Sequence, residues 1–353
     1  MPRSTPSVPA IRIGILGGAN IAKQFIRDVA ASGQVEVVAV ASRAPDRAAR
    51  FAAAHGVGRA HGSYDDLLGD PEIDVVYIPL PNSIHAEWAI KAAEHGKHVL
   101  CEKPLALNAA EAKSMFDAAR RHGVMLLEAY PYYFQPQTGA LVELLNSGAL
   151  GVVKSVQACF GFTLGDARDN IRMKPELGGG ALLDAGSYAL SIIRLAMQAA
   201  PIRVSADPTW ADSGVDISMM ATLHYADGRR AQLSCAMDVA YHRRATIVGS
   251  QGTIETEYLN HTSAQAGGDR LGYLPSELRV RRGVANSVPF ETVHSGFGSG
   301  FRFAAESFAR VISERDFAAV DRAARASLDN AATLEAIARS ARTASSVQVA
   351  AVE

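Results

Sequence analysis

The chain has 353 residues, more than one hydrophobic core usually serves, so two domains are the natural division. Its 35 Lys and Arg against 36 Asp and Glu leave a formal charge of −1, which supplies no broad field for a phosphate polymer or an anionic membrane; nucleic acid and membrane are not expected partners. Cys101, Cys159 and Cys235 are widely separated and form no C-x-x-C, a poor fit to a disulfide framework or a zinc site, and a reducing cytoplasm is the default expectation.

Residues 1–10 carry Pro2, Pro6 and Pro9 without an apolar run, which makes them a flexible arm and not a secretory signal. No later stretch reads as apolar and long enough to cross a bilayer. From residue 11 the pattern alternates. Short apolar runs at 11–17, 35–41, 73–78, 98–101 and 124–128 predict strands, and helical spacing at 19–31, 46–55, 83–94 and 109–122 predicts helices between them. Strands alternating with helices predict a parallel sheet covered on both faces, a dinucleotide-binding domain over residues 11–128. Beyond that the rhythm changes. Strands are predicted at 152–162, 217–225, 232–237, 246–248 and 253–257, several joined by hairpin signals such as Ala226-Asp-Gly, with helices at 181–197, 300–312 and 321–343. Residues 129–353 are therefore read as an α+β domain with a largely antiparallel open sheet, and the fold class as α/β.

The first turn, Gly17-Gly18-Ala19-Asn20-Ile21-Ala22, is a degenerate G-x-G-x-x-G: small residues let main-chain amides approach a pyrophosphate at a helix N-terminus. It opens the β/α series, where a dinucleotide site belongs. Ser42 and Arg43 end the second strand, where a free ribose would call for Asp or Glu; a hydroxyl and a cation fit a 2′-phosphate and favour NADP over NAD. Pro79-Leu80-Pro81-Asn82-Ser83-Ile84-His85 follows the third long strand at the same edge, and taken alone is a stiff turn with a helix cap. Cys101-Glu102-Lys103-Pro104 places an ammonium at a strand's C-terminal end beside the nucleotide turn, where it can orient and polarise a substrate oxygen. Gly178-Gly179-Gly180 precedes a helical run in which Asp184 and Tyr188, four apart, share a face.

The Glu-Lys-Pro turn, the Gly-Gly-Gly…Asp-x-x-x-Tyr helix, the Pro-Asn-x-x-His loop and the segment from Glu128 to Gln137 together resemble the Gfo/Idh/MocA oxidoreductases. Within that family the chain is similar to the branch holding glucose-fructose oxidoreductase, NADP-dependent xylose dehydrogenase and dimeric dihydrodiol dehydrogenase. The resemblance implies a Rossmann domain followed by a domain whose open sheet mediates self-association, as a dimer or tetramer. It implies that residues 17–21 cover the cofactor phosphates, that Ser42 and Arg43 hold the 2′-phosphate, and that Leu80, Pro81, Asn82 and His85 line the path to the nicotinamide. Glu102 and Lys103 would lie beside the nicotinamide ribose, Tyr188 would be the general acid/base, and Asp184 its supporting carboxylate. No metal is implied.

Two departures bear on substrate. Tyr133 and Gln135 stand where the family segment has Arg and His, which removes a cation and a titratable group from the side expected to face substrate. Tyr130, Arg168, Asn170 and Arg172 are the candidate substrate contacts, in a stretch polar enough to read sugar hydroxyls. The resulting expectation is an NADP(H)-dependent oxidoreductase acting on a sugar hydroxyl or hemiacetal carbon, including an aldose-aldose cycle with retained cofactor. A trans-dihydrodiol dehydrogenase and a non-catalytic NADP-binding sensor are the alternatives.

Overall fold

Continuous apolar runs build the first of two sheets in this computed structural model, which describes residues 10–165 and 169–352. The order is β1 (Ile11–Leu16), α1 (Asn20–Val29), β2 (Val35–Ala41), α2 (Pro45–His55), β3 (Arg59–His61), α3 (Tyr64–Leu68), β4 (Val75–Ile78), α4 (His85–Glu94), β5 (His98–Glu102), α5 (Ala109–Arg121) and β6 (Leu126–Ala129). These six strands pair in the order β3-β2-β1-β4-β5-β6, every neighbouring pair parallel. Both faces are covered, so the central strands have no polar alternation: all four residues of β4 are buried. The connections reverse direction between β1 and β4, the point at which open sheets hold ligands beyond their carboxyl ends.

The second half begins with α6 (Pro136–Asn146) and β7 (Val153–Thr163), then a π-helical turn (Leu182–Gly186) running into α7 (Ser187–Met197). There follow β8 (Arg203–Trp210), β9 (Asp216–His224), β10 (Arg230–Ala236), β11 (Asp238–Gly249), β12 (Gly252–Thr256), β13 (Glu277–Arg282), β14 (Glu291–His294), α8 (Gly300–Glu314), α9 (Phe317–Thr343) and β15 (Val347–Gln348). The nine strands pair as β14-β13-β12-β11-β7-β10-β9-β8-β15, antiparallel except for the parallel pair β7 and β10. Period-2 alternation fixes which face is which. Met219, Ala221 and Leu223 join the core under α7, while Met220, 67% exposed, points to the open face.

Contrary to the sequence expectation, one helical run, Pro175–Met197, is apolar and long enough to cross a membrane, but 78% of its most apolar window is buried because it forms the middle of the second core. The last two long helices return to the first sheet. Phe301, Ala305 and Phe308 of α8 pack with Ile13, Phe25 and Tyr77, and α9 gives Ala324, Leu328 and Ala331 to the other face before Leu334 and Ile337 enter the second core.

Candidate active site

The nucleotide turn is built from backbone. Gly17 has φ +89°, and a Cβ there would come to 3.0 Å from Leu80; a Cβ on Gly18 would meet Phe51 at 2.8 Å. Ala19 precedes α1 in extended conformation, no side chain caps the helix, and its first turn holds no acidic residue. The donor set at this end is therefore main-chain N–H groups with the helix dipole behind them and no negative charge among them, which fits a pyrophosphate. Arg43 has no ion-pair partner among the described residues, and with Arg47, in the first turn of α2, it draws down the Tyr64 phenol against the rise caused by burial.

A cleft of about 590 Å³ opens beside this turn, between the two sheets. The first half lines it with Ala19, Asn20, Ile21, Leu80, Asn82, Glu102 and Lys103. The second half supplies Asn170, Arg172, the triple glycine, Asp184 and Tyr188, with Phe160, Phe162, Asn260 and Phe301. Asn82 Nδ2 donates to the Gly178 carbonyl at 2.8 Å and ties the two walls together. The close approach explains the glycines. A Cβ on Gly178 would lie 2.5 Å from Leu107, and Gly180, with φ +114°, rests on the Asp216 carboxylate, which accepts from the Leu182 N–H at 2.6 Å and so caps the turn that carries Asp184.

Lys103 Nζ donates to the Asp184 carbonyl (2.8 Å) and to Asp184 Oδ1 (3.0 Å), and lies 4.6 Å from the Tyr188 ring centroid. The other carboxylate oxygen of Asp184 accepts from Arg172 Nε at 2.6 Å. Burial alone would raise the Asp184 pKa, but Lys103 and then Arg172 hold it at about 2. Burial works against the Lys103 ammonium too, and Asp184, Tyr188 and Glu102 more than offset it, so its pKa stands above the ordinary lysine value. Burial raises the Tyr188 phenol, with Lys103 and Arg243 pulling it back. Glu102 is raised by burial and accepts from the Tyr77 hydroxyl at 2.6 Å. The arrangement sets a phenol, a fixed ammonium and an ionised carboxylate around one opening, the equipment for moving a proton on and off a substrate oxygen.

Several sequence expectations land elsewhere. His85 is wholly buried and lines no part of the cleft; its Nδ1 meets the Pro104 carbonyl at 3.0 Å and its Nε2 the Leu80 carbonyl at 2.8 Å, so it braces the two loops that do. Pro81 also lies outside the lining. Tyr130 is buried behind the site, its ring edge-on to Tyr188 at 5.4 Å, facing a separate cavity. Tyr133 opens to that same rear cavity, and Gln135 is spent on backbone, donating to the Asn260 and Gly298 carbonyls at 2.8 and 2.9 Å, because the segment turns away from the cleft after Ala129. Arg168 and residues 1–9 lie outside the described residues. The sequence reading missed Phe160, Phe162, Asn260 and Phe301, which sit on one strand, a loop and a helix with no motif around them. It also missed Arg243, whose guanidinium stacks 4.4 Å from the Tyr188 ring.

A dinucleotide-type cleft with lysine, aspartate and tyrosine converging across two domains defines an oxidoreductase of the nicotinamide-dependent kind, and comparison with known proteins agrees. Residues 11–130 match the profile of the oxidoreductase family with an NAD-binding Rossmann fold, and residues 139–255 match the GFO/IDH/MocA C-terminal domain. The chain belongs to the Gfo/Idh/MocA family. It is 36% identical over 337 residues to a D-xylose 1-dehydrogenase (NADP(+)) of Haloferax volcanii, covering 95% of this chain and 99% of that one. It is 39% identical to the trans-1,2-dihydrobenzene-1,2-diol dehydrogenase of Danio rerio over 70% of this chain and 74% of that one. Among solved structures, the aldose-aldose oxidoreductase of Caulobacter crescentus complexed with glycerol superposes with a TM-score of 0.82 at 25% identity, over 96% of this chain and 99% of that one.

Proposed function

We propose that the protein is an NADP(H)-dependent oxidoreductase that interconverts a sugar hydroxyl or hemiacetal carbon with the corresponding carbonyl. The observation that carries this reading is the meeting of Lys103 from the first half with Tyr188 from the second in one cleft beside the uncapped end of α1. The cofactor fits the residues present: the α1 amides for its pyrophosphate, Ser42 and Arg43, with Arg47 near, for a 2′-phosphate, and Glu102 and Lys103 at the reacting end. Bound there, the cofactor supplies the acceptor or donor of a hydride.

In the oxidising direction a carbinol loses its C–H electron pair as hydride and its O–H proton to Tyr188 Oη, and the C=O bond forms; reduction is the reverse. Lys103, held by Asp184, can bond the same substrate oxygen and stabilise the negative charge that builds on it. The net rise in the Tyr188 pKa keeps the phenol protonated at neutral pH. Carbonyl reduction is thus favoured near neutrality and alcohol oxidation under alkaline conditions. Arg172 and Asn170, at the cleft wall, are placed to bond further hydroxyls.

A cyclic trans-diol is the second reading, because Phe160, Phe162 and Phe301 give the cleft an aromatic wall against which a flat ring can stack. Self-association through the open sheet, whose face exposes Met220 among small and polar side chains, is part of this reading. The test is a panel of aldoses, polyols and a trans-dihydrodiol followed by reduced-nicotinamide absorbance, with mass spectrometry of the purified protein for retained nucleotide. Oxidation of an aldose with NADP, lost in Tyr188→Phe while nucleotide binding persists, is the expected result; full activity in that variant would remove Tyr188 from the reaction.

A further inference from the structure

Arg243 is 6% exposed and has no carboxylate partner among the described residues. Its guanidinium lies among four rings, 4.4 Å from the centroid of Tyr188, 4.6 Å from Tyr258, 4.7 Å from Phe160 and 5.7 Å from Tyr132, and its buried Nε finds no partner among the described residues. Taking a cation out of water is costly, and ring faces repay only part of that cost. The rest of its polar contact is directed. Arg243 Nη2 donates to Asn260 Oδ1 at 3.1 Å, and Asn260 Nδ2 donates to Tyr188 Oη at 3.1 Å.

The chemistry fixes the orientation of that amide. A guanidinium only donates, so the oxygen of Asn260 must face Arg243 and its NH₂ must face the phenol. The loop is pinned in turn: the Asn260 carbonyl accepts from Gln135 Nε2 at 2.8 Å and from the Gly300 N–H at 2.8 Å, and Tyr258, two residues earlier, takes φ +38°. Of the three phenols around Arg243, Tyr132 bonds Ser191 and Tyr258 donates to the Cys159 carbonyl, which leaves Tyr188 as the one whose oxygen receives an N–H.

We infer that Asn260 is a further catalytic residue and Arg243 its positioning residue, together stabilising the phenolate of Tyr188 in addition to Lys103. This deepens the proposed function and rests on Tyr188 being the acid/base. A donor aimed at the phenol oxygen, polarised by a cation behind it, favours the ionised form that must accept the carbinol proton. The other groups acting on Tyr188 are accounted for: Lys103 with its Asp184, Glu102 from β5, and the phenols of Tyr77, Tyr130 and Tyr132.

The experiment is the pH profile of kcat/KM for alcohol oxidation in wild type, Asn260→Ala, Asn260→Asp and Arg243→Gln, beside thermal melting of each. Asn260→Asp keeps the acceptor for Arg243 and gives that cation a carboxylate, yet sets a negative charge against the phenol. It is expected to melt at or above wild type while its alkaline-going limb moves up by at least about one pH unit, a tenfold loss on the limb. Asn260→Ala should move the limb less, in the same direction. Arg243→Gln can fail to fold for lack of its stacked plane, and the two Asn260 variants stand without it. A limb that stays at the wild-type position in both folded Asn260 variants overturns the inference. Tyr188→Phe separates this from the parent reading: if it is inactive while the Asn260 variants keep the wild-type limb, only the relay is wrong, and if it stays active, the acid/base assignment falls first.

Discussion

Two carboxyl groups, Asp184 half-buried in the turn that runs into α7 and Glu128 buried on β6, face opposite fates. Asp184, at the cleft, has Lys103 and Arg172 on its two oxygens and ionises at about 2. Glu128, in the junction behind it, has the Leu105 N–H on Oε1 at 2.9 Å and, among the described residues, no partner on Oε2 and no cation in contact, and burial pushes it up to about 7. Desolvation raises both; the difference is who stands opposite. A cleft that must hold charge next to substrate provides cations for it, while the junction tolerates a carboxyl only because it can keep its proton. Asp216, capping the turn before α7 with main-chain partners alone, sits between the two at about 6.

Removing the cation that separates these cases should have the largest effect. Lys103→Met leaves Asp184 with Arg172 alone and the phenol without its ammonium; kcat/KM should fall by about a thousandfold, with nucleotide affinity by fluorescence titration changed only a few-fold. Asp184→Asn is next. The ammonium loses its charged anchor, and steady-state rates should drop by roughly 10–100-fold, mostly in kcat, with folding intact in far-ultraviolet dichroism. A Lys103 variant of wild-type activity would mean that the cleft's charges are structural only.

Glu128→Gln tests the other side. Its raised folded-state pKa means its stabilising contribution is complete below the ordinary value of 4.5 and is lost as pH rises through about 7. The variant should match wild type near about pH 5 and exceed it by on the order of 2 kcal/mol near about pH 9 in urea melts. Destabilisation at the higher pH would show that the junction supplies a hidden partner. Asp216→Asn follows the same sign over a lower window, between the ordinary 3.8 and about 6, with a gain near about 1 kcal/mol at neutral pH, since Asn keeps an acceptor for Leu182. Asp184 runs the opposite way: its depressed pKa supplies stability present above the ordinary 3.8 and lost as pH falls toward about 2.

The first sheet was largely legible because its strands are buried on both faces and read as unbroken apolar runs; β2 coincides with the expected 35–41. The expectation missed β3 and α3, at three and five residues too short for periodicity to register, although Ser63 does accept from the Asp66 N–H as an N-cap. In the second sheet β8 was hidden by Pro208 and its exposed edge, and α6 by Pro136 and Gly139 within one short helix. In the cleft, Lys103, Asp184 and Tyr188 were readable because motifs surround them. Arg243 was not. It lies in the pair Arg243-Arg244, and only the register of β11 on β7, which sets Arg243 opposite Phe160 and Arg244 opposite Cys159, decides which of the two turns inward. The β11 strand also begins eight residues before the apolar stretch 246–248 that predicts it, so both arginines fall outside the predicted strand.

The return of α8 and α9 to the first sheet has a consequence for biosynthesis. Strands β1 to β6 are complete by Ala129, yet the apolar faces they need covered wait for Phe301, Phe308, Leu328 and Ala331, far later in translation. The nascent amino-terminal half therefore leaves the ribosome with part of its greasy surface bare, and a gene cut after the first sheet should yield inclusion bodies where the whole gene yields folded enzyme.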